Sequence, residues 1–272
     1  MKIAFYCSRP EYLSDERIIA LIASLKSAGN EVLDASGKDI LEDGTDMLLS
    51  IGGDGTFLSA SALAVASSVP VAGVNLGRMG FLSENRPEEL SQAIISSCYE
   101  IEERSLLHTK VFLDGSPVEV RPFALNEVAV HRSGAAMLGV DVNLDGTTLP
   151  TYWADGLVVS TSSGSTAYSL SVGGPIVLPY AKVLILSPIA PHNLNVRPLV
   201  LPDSSMISLS MRSRDDNITL TIDNTDITLS AGVKVEISLA QFSLKRVRLD
   251  GKNFIGALTE KLFWGEDVRN LK

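Results

Sequence analysis

The sequence has only two cysteines, Cys7 and Cys98, at a spacing that fits neither a metal site nor a redox pair. That excludes a disulfide-stapled fold and points to a reducing compartment. Its three histidines, His108, His131 and His192, are far apart and none has metal-ligand spacing. Long apolar runs are absent: none approaches the ~20 residues of a membrane span. The first ten residues hold too short an apolar run for a signal peptide. Positive charge is in deficit, with 23 Lys and Arg against 32 Asp and Glu, a net charge of −9. Nucleic acid and an anionic membrane are therefore not expected partners. No Gly-x-Ser-x-Gly elbow is present, which argues against a serine hydrolase. No Gly-Lys-Ser/Thr follows a glycine loop, which excludes a Walker A site. Internal repeats, low-complexity tracts and flexible linkers are also missing. A soluble cytoplasmic protein is expected.

What is there is an ordinary globular composition, 45% hydrophobic and 20% charged over 272 residues. One large domain or two modest ones fit that length. The first hundred residues alternate strand-like and helix-like segments. Ile3 to Tyr6 reads as a strand. Ser14 and Asp15 offer a helix N-cap, Ile18, Leu21, Ile22 and Leu25 recur at helical spacing, and Gly29 closes the helix. Glu31–Ala35, Met47–Ile51 and Val69–Asn75 read as strands, and Phe57–Ser67 as a helix. Another helix runs from Pro87 to about Tyr99. This predicts an α/β N-terminal domain with a mostly parallel sheet, over residues 1–104. From about residue 105 to 249 the texture is all-β and sandwich-like, with Asp114-Gly115 and Asp145-Gly146 as hairpin turns. Val233–Leu239 and Lys245–Leu249 read there as two separate strands. Phe254–Trp264 reads as a terminal helix.

Four segments carry chemistry. Gly52-Gly53-Asp54-Gly55-Thr56 follows an apolar strand and precedes a helix. Glycines let the main chain turn sharply and approach a ligand closely, and N–H groups at such a turn suit phosphate. An acid there would repel phosphate unless a proton acceptor or a metal holder is needed, so Asp54 could take a proton from an attacking hydroxyl or hold a magnesium ion. Asn75-Leu76-Gly77-Arg78-Met79-Gly80-Phe81-Leu82 places Arg78 at the end of another strand, where ligands of open α/β sheets bind. Asn126-Glu127 interrupts an apolar strand, and by alternation one of the two should face inward. Asp155-Gly156-Leu157 leads into a run with nine hydroxyl residues between Ser160 and Ser171. Hydroxyls and small residues at a strand end permit close approach of a flat base and hydrogen bonds to its edge.

Taken together, these segments resemble the NAD kinase family. Gly52–Thr56, Asn75–Leu82, Leu125–Val128, Asp155–Leu157, Gly164–Ser171, Gly173–Pro175 and Pro188–His192 match its motifs in order. The glycine turn alone is shared with lipid kinases, and the later motifs narrow the resemblance. It implies an α/β domain and a β-rich NAD-binding domain, with residues 250–272 returning to the first. It implies transfer of the ATP γ-phosphoryl group to the 2′-hydroxyl of the adenosine ribose of NAD, with Mg²⁺ or another divalent metal. Asp54 then matches the general base, and Gly52, Gly53, Gly55, Thr56 and Arg78 the phosphate turn. Asn126 and Glu127 match the nucleoside-binding pair and Asp155 a nicotinamide-side contact. Ser163, Thr166, Ala167, Tyr168 and Ser171 match the NAD-binding stretch, and Ala190 and Asn224 further contacts. No residue is assigned to a protein-held metal site. A homodimer or homotetramer is implied. Two positions depart from the family pattern: Trp153 replaces an arginine, and Ser162 a proline. A lipid or sphingoid kinase and a non-catalytic nucleotide sensor are the competing readings. The acidic charge weighs against the first, and an acid beside phosphates against the second.

Overall fold

The computed structural model describes residues 1–77 and 80–264. The chain divides into two compact units, one of residues 1–103 with 244–272 and one of residues 104–243. No helix among the described residues is long and apolar enough to cross a membrane.

In the first unit, strands β1 (Lys2–Cys7), β2 (Glu31–Asp34), β3 (Met47–Ile51) and β4 (Val71–Val74) pair only in parallel, in the order β4-β3-β1-β2. Arg246, near the end of the strand Lys234–Leu249, pairs with Val71 beyond β4. Helix α1 (Glu16–Ser27) connects β1 to β2, and α2 (Asp54–Ser67) connects β3 to β4. Asp15 caps α1 by accepting from the N–H of Arg17 at 2.9 Å, a contact worth about 1 kcal/mol. Gly29 follows the helix at φ +85°, a left-handed position that glycine adopts without a Cβ penalty. Every residue of β3 and β4 is buried, as expected of strands covered on both faces. Helix α3 (Pro87–Ser96) opens on its proline and ends at Ser97 in the left-handed region, three residues before the expected end. Helix Phe254–Leu262 belongs to this unit, with the Phe254 ring 6.0 Å from that of Phe81.

The second unit is β-rich. One antiparallel sheet of six strands runs, edge to edge, Leu199–Pro202, Val183–Ile189, Gly156–Thr161, Glu127–Arg132, Asn217–Ile222 and Thr225–Ser230. A second set pairs Leu138–Leu144 with Ile207–Arg212, and the latter with Lys234–Ile237. Buried residues of both sets, among them Val128, Val130, Leu157, Val140, Leu209 and Val235, form one apolar core. Lys234–Leu249 is a single strand of 16 residues, not two. Exposed Gln241 and Phe242 interrupt its apolar pattern without interrupting its hydrogen bonding.

Candidate active site

The order β4-β3-β1-β2 makes β1 and β3 the point where the sheet winds in both directions. Ligands of such sheets bind beyond the carboxyl ends of the strands at that point. β3 ends there in the glycine turn. Gly52 has φ +148°, and a Cβ on it would lie 2.4 Å from Thr56 Oγ1. Thr56 Oγ1 in turn lies 2.7 Å from Ser8 Oγ at the end of β1. α2 starts at Asp54, three residues before the expected Phe57, so the acid stands in the first helical turn, where the helix dipole favours negative charge.

The Asp54 carboxylate accepts three main-chain hydrogen bonds. Phe81 N–H donates to Oδ2 at 2.8 Å, while Leu82 and Ser83 N–H donate to Oδ1 at 3.0 and 2.8 Å. Oδ1 is thereby saturated, and Oδ2 keeps one lone pair. Gly80 makes this approach possible, since a Cβ there would lie 1.8 Å from Asp54 Oδ1. The same loop is fixed from other sides. Ser83 Oγ donates to Gly52 O at 2.6 Å and Asn75 Nδ2 to Ser83 O at 2.9 Å. The buried Arg246 donates to Leu82 O and pairs with Glu84 and Glu102, each at 2.6 Å. Lys261 of the terminal helix donates to Gly80 O and lies over the Phe81 ring, with burial pulling its pKa down against the charge of Asp54. Arg78 lies outside the described residues.

In the second unit Asn126 and Glu127 are both buried, at 7% and 6% exposure, where alternation predicted only one. Asn126 precedes the strand Glu127–Arg132 and so escapes its alternation. The carboxylate of Asp223 accepts N–H bonds from Leu125, Asn126 and Glu127 at 2.8, 2.8 and 3.3 Å. Glu127 Oε2 is buried without a hydrogen-bond partner. Burial, and then the charge of Asp223, push the Glu127 carboxyl up to about 8. A carboxyl raised on folding stabilises below its unfolded value, and that stability is lost as pH rises to the folded value. The window here runs from the ordinary carboxyl range to about 8. Glu127→Gln is expected to flatten the slope, raising the melting temperature at pH 8 and leaving it nearly unchanged at pH 4. Thermal melts of both proteins at the two pH values check this.

The hydroxyl-rich run is a 3-10 turn, Ser163–Thr166, followed by a helical turn, Tyr168–Ser171. Four of the hydroxyls before Ser171 are engaged by the fold itself. Thr161 Oγ1 donates to Leu125 O and accepts from Gly164 N–H. Ser162 donates to Pro179 O, Ser165 to Val177 O, and Ser169 bonds Ser187. A buried hydroxyl that left these carbonyls unpaired would cost free energy, so burial itself assigns them. Ser163 is buried beside Arg104, while Thr166, Ala167 and Tyr168 are half-buried and Ser171 exposed. The Tyr168 ring stacks on His131 with centroids 5.6 Å apart. Asp155 pairs with Arg132 at 2.7 Å. Ala190 has φ +44°, a strained conformation for a residue with a Cβ, at the end of Val183–Ile189. Asn224 is exposed beside Asp223. Trp153, 39% exposed, lays its ring against Gly139 at the position where an arginine was expected.

The ATP-NAD kinase N-terminal domain family matches residues 24–101, and the ATP-NAD kinase C-terminal domain family residues 125–249. The chain belongs to the NAD kinase family. It is 38% identical to a Flavobacterium psychrophilum NAD kinase over 94% of this chain and 88% of the relative. It is 41% identical to a Bacteroides fragilis NAD kinase over 82% and 78%. Among solved structures, an Archaeoglobus fulgidus NAD kinase in complex with ATP superposes with TM-score 0.75 at 27% identity, covering 96% of this chain and 99% of that one. A yeast NADH kinase complexed with NADH shares the fold at TM-score 0.87 and 24% identity, over 100% and 90%. The family resemblance read from the sequence therefore holds, as does the α/β plus β-rich architecture with its returning helix. The structure adds an anchoring acid, Asp223, next to the expected contact Asn224. An acid-amide pair between two strand-like runs was the available signal, since it marks a hairpin turn.

Proposed function

We propose that this protein transfers the γ-phosphoryl group of ATP to the 2′-hydroxyl of the adenosine ribose of NAD, giving NADP and ADP. The observation that carries the mechanism is the state of Asp54. Its carboxylate is fixed by three N–H bonds and keeps one acceptor position, on Oδ2. A ribose hydroxyl is a weak nucleophile at neutral pH. In this reading its oxygen attacks the γ-phosphorus, the bond to the β–γ bridging oxygen breaks, and the hydroxyl proton passes to Asp54 Oδ2. Gly52, Gly53, Gly55 and Thr56 shape the turn that meets phosphate, with Arg78 as a cation for it. Asn126, Glu127, Asp155, Ser163, Thr166, Ala167, Tyr168, Ser171, Ala190 and Asn224 supply the NAD contacts. Of these, Ser171 is exposed and Thr166, Ala167 and Tyr168 half-buried, the accessible part of their segment, which suits contact with a base.

A protein-held divalent ion does not fit the described residues. No group of three or more His, Cys, Asp or Glu among them could hold a metal ion, and Asp54 has one lone pair to offer beside its three N–H bonds. The magnesium ion is better assigned to the substrate, as MgATP. We assign the enzyme to the cytoplasm and to a homodimer or homotetramer. NADP formation from NAD and MgATP tests the function. Appearance of NADP supports it. Phosphorylation of a sphingoid base or diacylglycerol instead would identify a lipid kinase, and NAD binding without turnover a sensor.

A further inference from the structure

We propose that Asp223 is a positioning residue for the nucleoside-binding pair: its buried carboxylate, carried on a left-handed hairpin turn, fixes the main-chain path that presents Asn126 and Glu127. This rests on the reading that those two residues bind NAD. Asp223 and Asn224 form the turn between Asn217–Ile222 and Thr225–Ser230, and Asp223 has φ +52°. Aspartate tolerates that region better than most residues. The turn aims its side chain back at the neighbouring strand, where it takes the three N–H groups of Leu125, Asn126 and Glu127. Asp223 N–H returns a bond to Glu127 O at 2.9 Å, which closes the arrangement.

A hairpin needs no such acid. Asn-Gly closes a two-residue turn without burying a charge, and an ion removed from water carries a penalty of several kcal/mol. The Asp223 side chain is nevertheless fully buried. Burial pushes the Asp223 carboxyl up, and its three N–H donors, with Arg121 Nη2 at 3.7 Å, pull against that rise. Glu127 has no comparable support. The charged and titratable groups around it are Asp223, which repels its anion, and Tyr168, whose phenol has its pKa raised by burial first and then by Glu127 and Asp155. The N–H of Tyr168 is its one stabilising contact. Arg121 stands against Asp223, and His131 stacks on Tyr168 and is itself kept neutral by burial. Three N–H donors face Asp223, whereas Glu127 Oε2 has no partner, so this geometry places the proton of the acid pair on Glu127, which then presents a hydroxyl donor to a ribose or base acceptor. Asp223 thus acts on the ligand only through Glu127 and Asn126, by geometry and by charge.

The test is Asp223→Asn. The new amide keeps one oxygen for Asn126 and Glu127 but turns N–H₂ toward Leu125 N–H, and it removes the charge. KM for NAD is expected to rise about tenfold with kcat within about twofold, the signature of lost binding rather than lost chemistry. The Glu127 carboxyl, followed by ¹³C NMR, is expected to titrate at least about one pH unit lower than in the wild type, as loss of a neighbouring like charge requires. A purely structural turn would weaken the fold without moving that midpoint, and an unmoved midpoint overturns the proposal. So does an unchanged KM. If the variant does not fold, amide exchange of the wild type decides: rapid exchange at Leu125, Asn126 and Glu127 N–H overturns it, and protection of all three supports it. The titration needs no substrate. A wild type that makes no NADP would overturn the proposed reaction while leaving Asp223 to be judged by the titration.

Discussion

Asp54→Asn is expected to lower turnover by about two to three orders of magnitude, the scale of a positioned proton acceptor. The substitution is informative because of how the carboxylate is held. Oδ1 receives two N–H bonds and Oδ2 one. An asparagine loses least by keeping its oxygen against Leu82 and Ser83 and placing its amide nitrogen where Oδ2 was. That orientation preserves most of the loop's anchorage. It removes the one atom able to take the hydroxyl proton and sets a donor against Phe81 N–H. Turnover should therefore collapse while NAD affinity stays within a few-fold and the melting temperature falls only modestly. Steady-state kinetics, calorimetry with NAD and a thermal melt separate the three quantities. Near-normal turnover would remove Asp54 as the proton acceptor. A collapse of NAD affinity alongside turnover would instead mark the loop, not the proton, as the seat of the effect.

Gly164→Ala has the second-largest expected effect. A Cβ there would lie 2.1 Å from Asn126 O, 2.6 Å from its carbonyl carbon and 2.8 Å from its Cα. All three are main-chain atoms, so no side chain can swing aside. Asn126 O already accepts from Thr161 N–H at 2.9 Å, and Thr161 Oγ1 joins Leu125 O to Gly164 N–H. One methyl group thus pushes the turn off Asn126 and strains both bonds. A loss of about 3 kcal/mol or more is expected from such backbone overlap, together with a large rise in KM for NAD. Denaturant titration and kinetics measure both. Gly173→Ala is the control, since Gly173 has φ +85° but open space around it. It should cost about 1 kcal/mol in backbone strain and leave NAD binding unchanged. Equal effects at the two positions would show that flexibility, not contact, is what Gly164 supplies.

The parts of this site legible in the sequence are those where local composition violates packing logic. Glycines around an acid at a strand end have no structural economy, so Gly52–Thr56 stood out. The alternation of strands and helices before residue 100 follows from periodicity and caps, and Asp15 and Gly29 act as their residue types predict. Local patterns misled where tertiary contacts decide. The strand Lys234–Leu249 reads as two because exposed Gln241 and Phe242 break its apolar pattern. The partners of Thr161, Ser162 and Ser165, carbonyls of Leu125, Pro179 and Val177, are likewise invisible in a local window. Asp223 is the extreme case. Its three donors lie 96 to 98 residues earlier, and nothing near position 223 announces them.

The three N–H bonds to Asp54 change what the glycine-flanked acid says about activity. A chain that had abandoned phosphoryl transfer would still draw loop anchorage from this aspartate, through its bonds to Phe81, Leu82 and Ser83. Retention of the acid in any descendant therefore reports a folded loop before it reports a working enzyme. The acid and its three N–H bonds are common to a kinase and to an inert relative built on the same turn, and turnover alone separates the two.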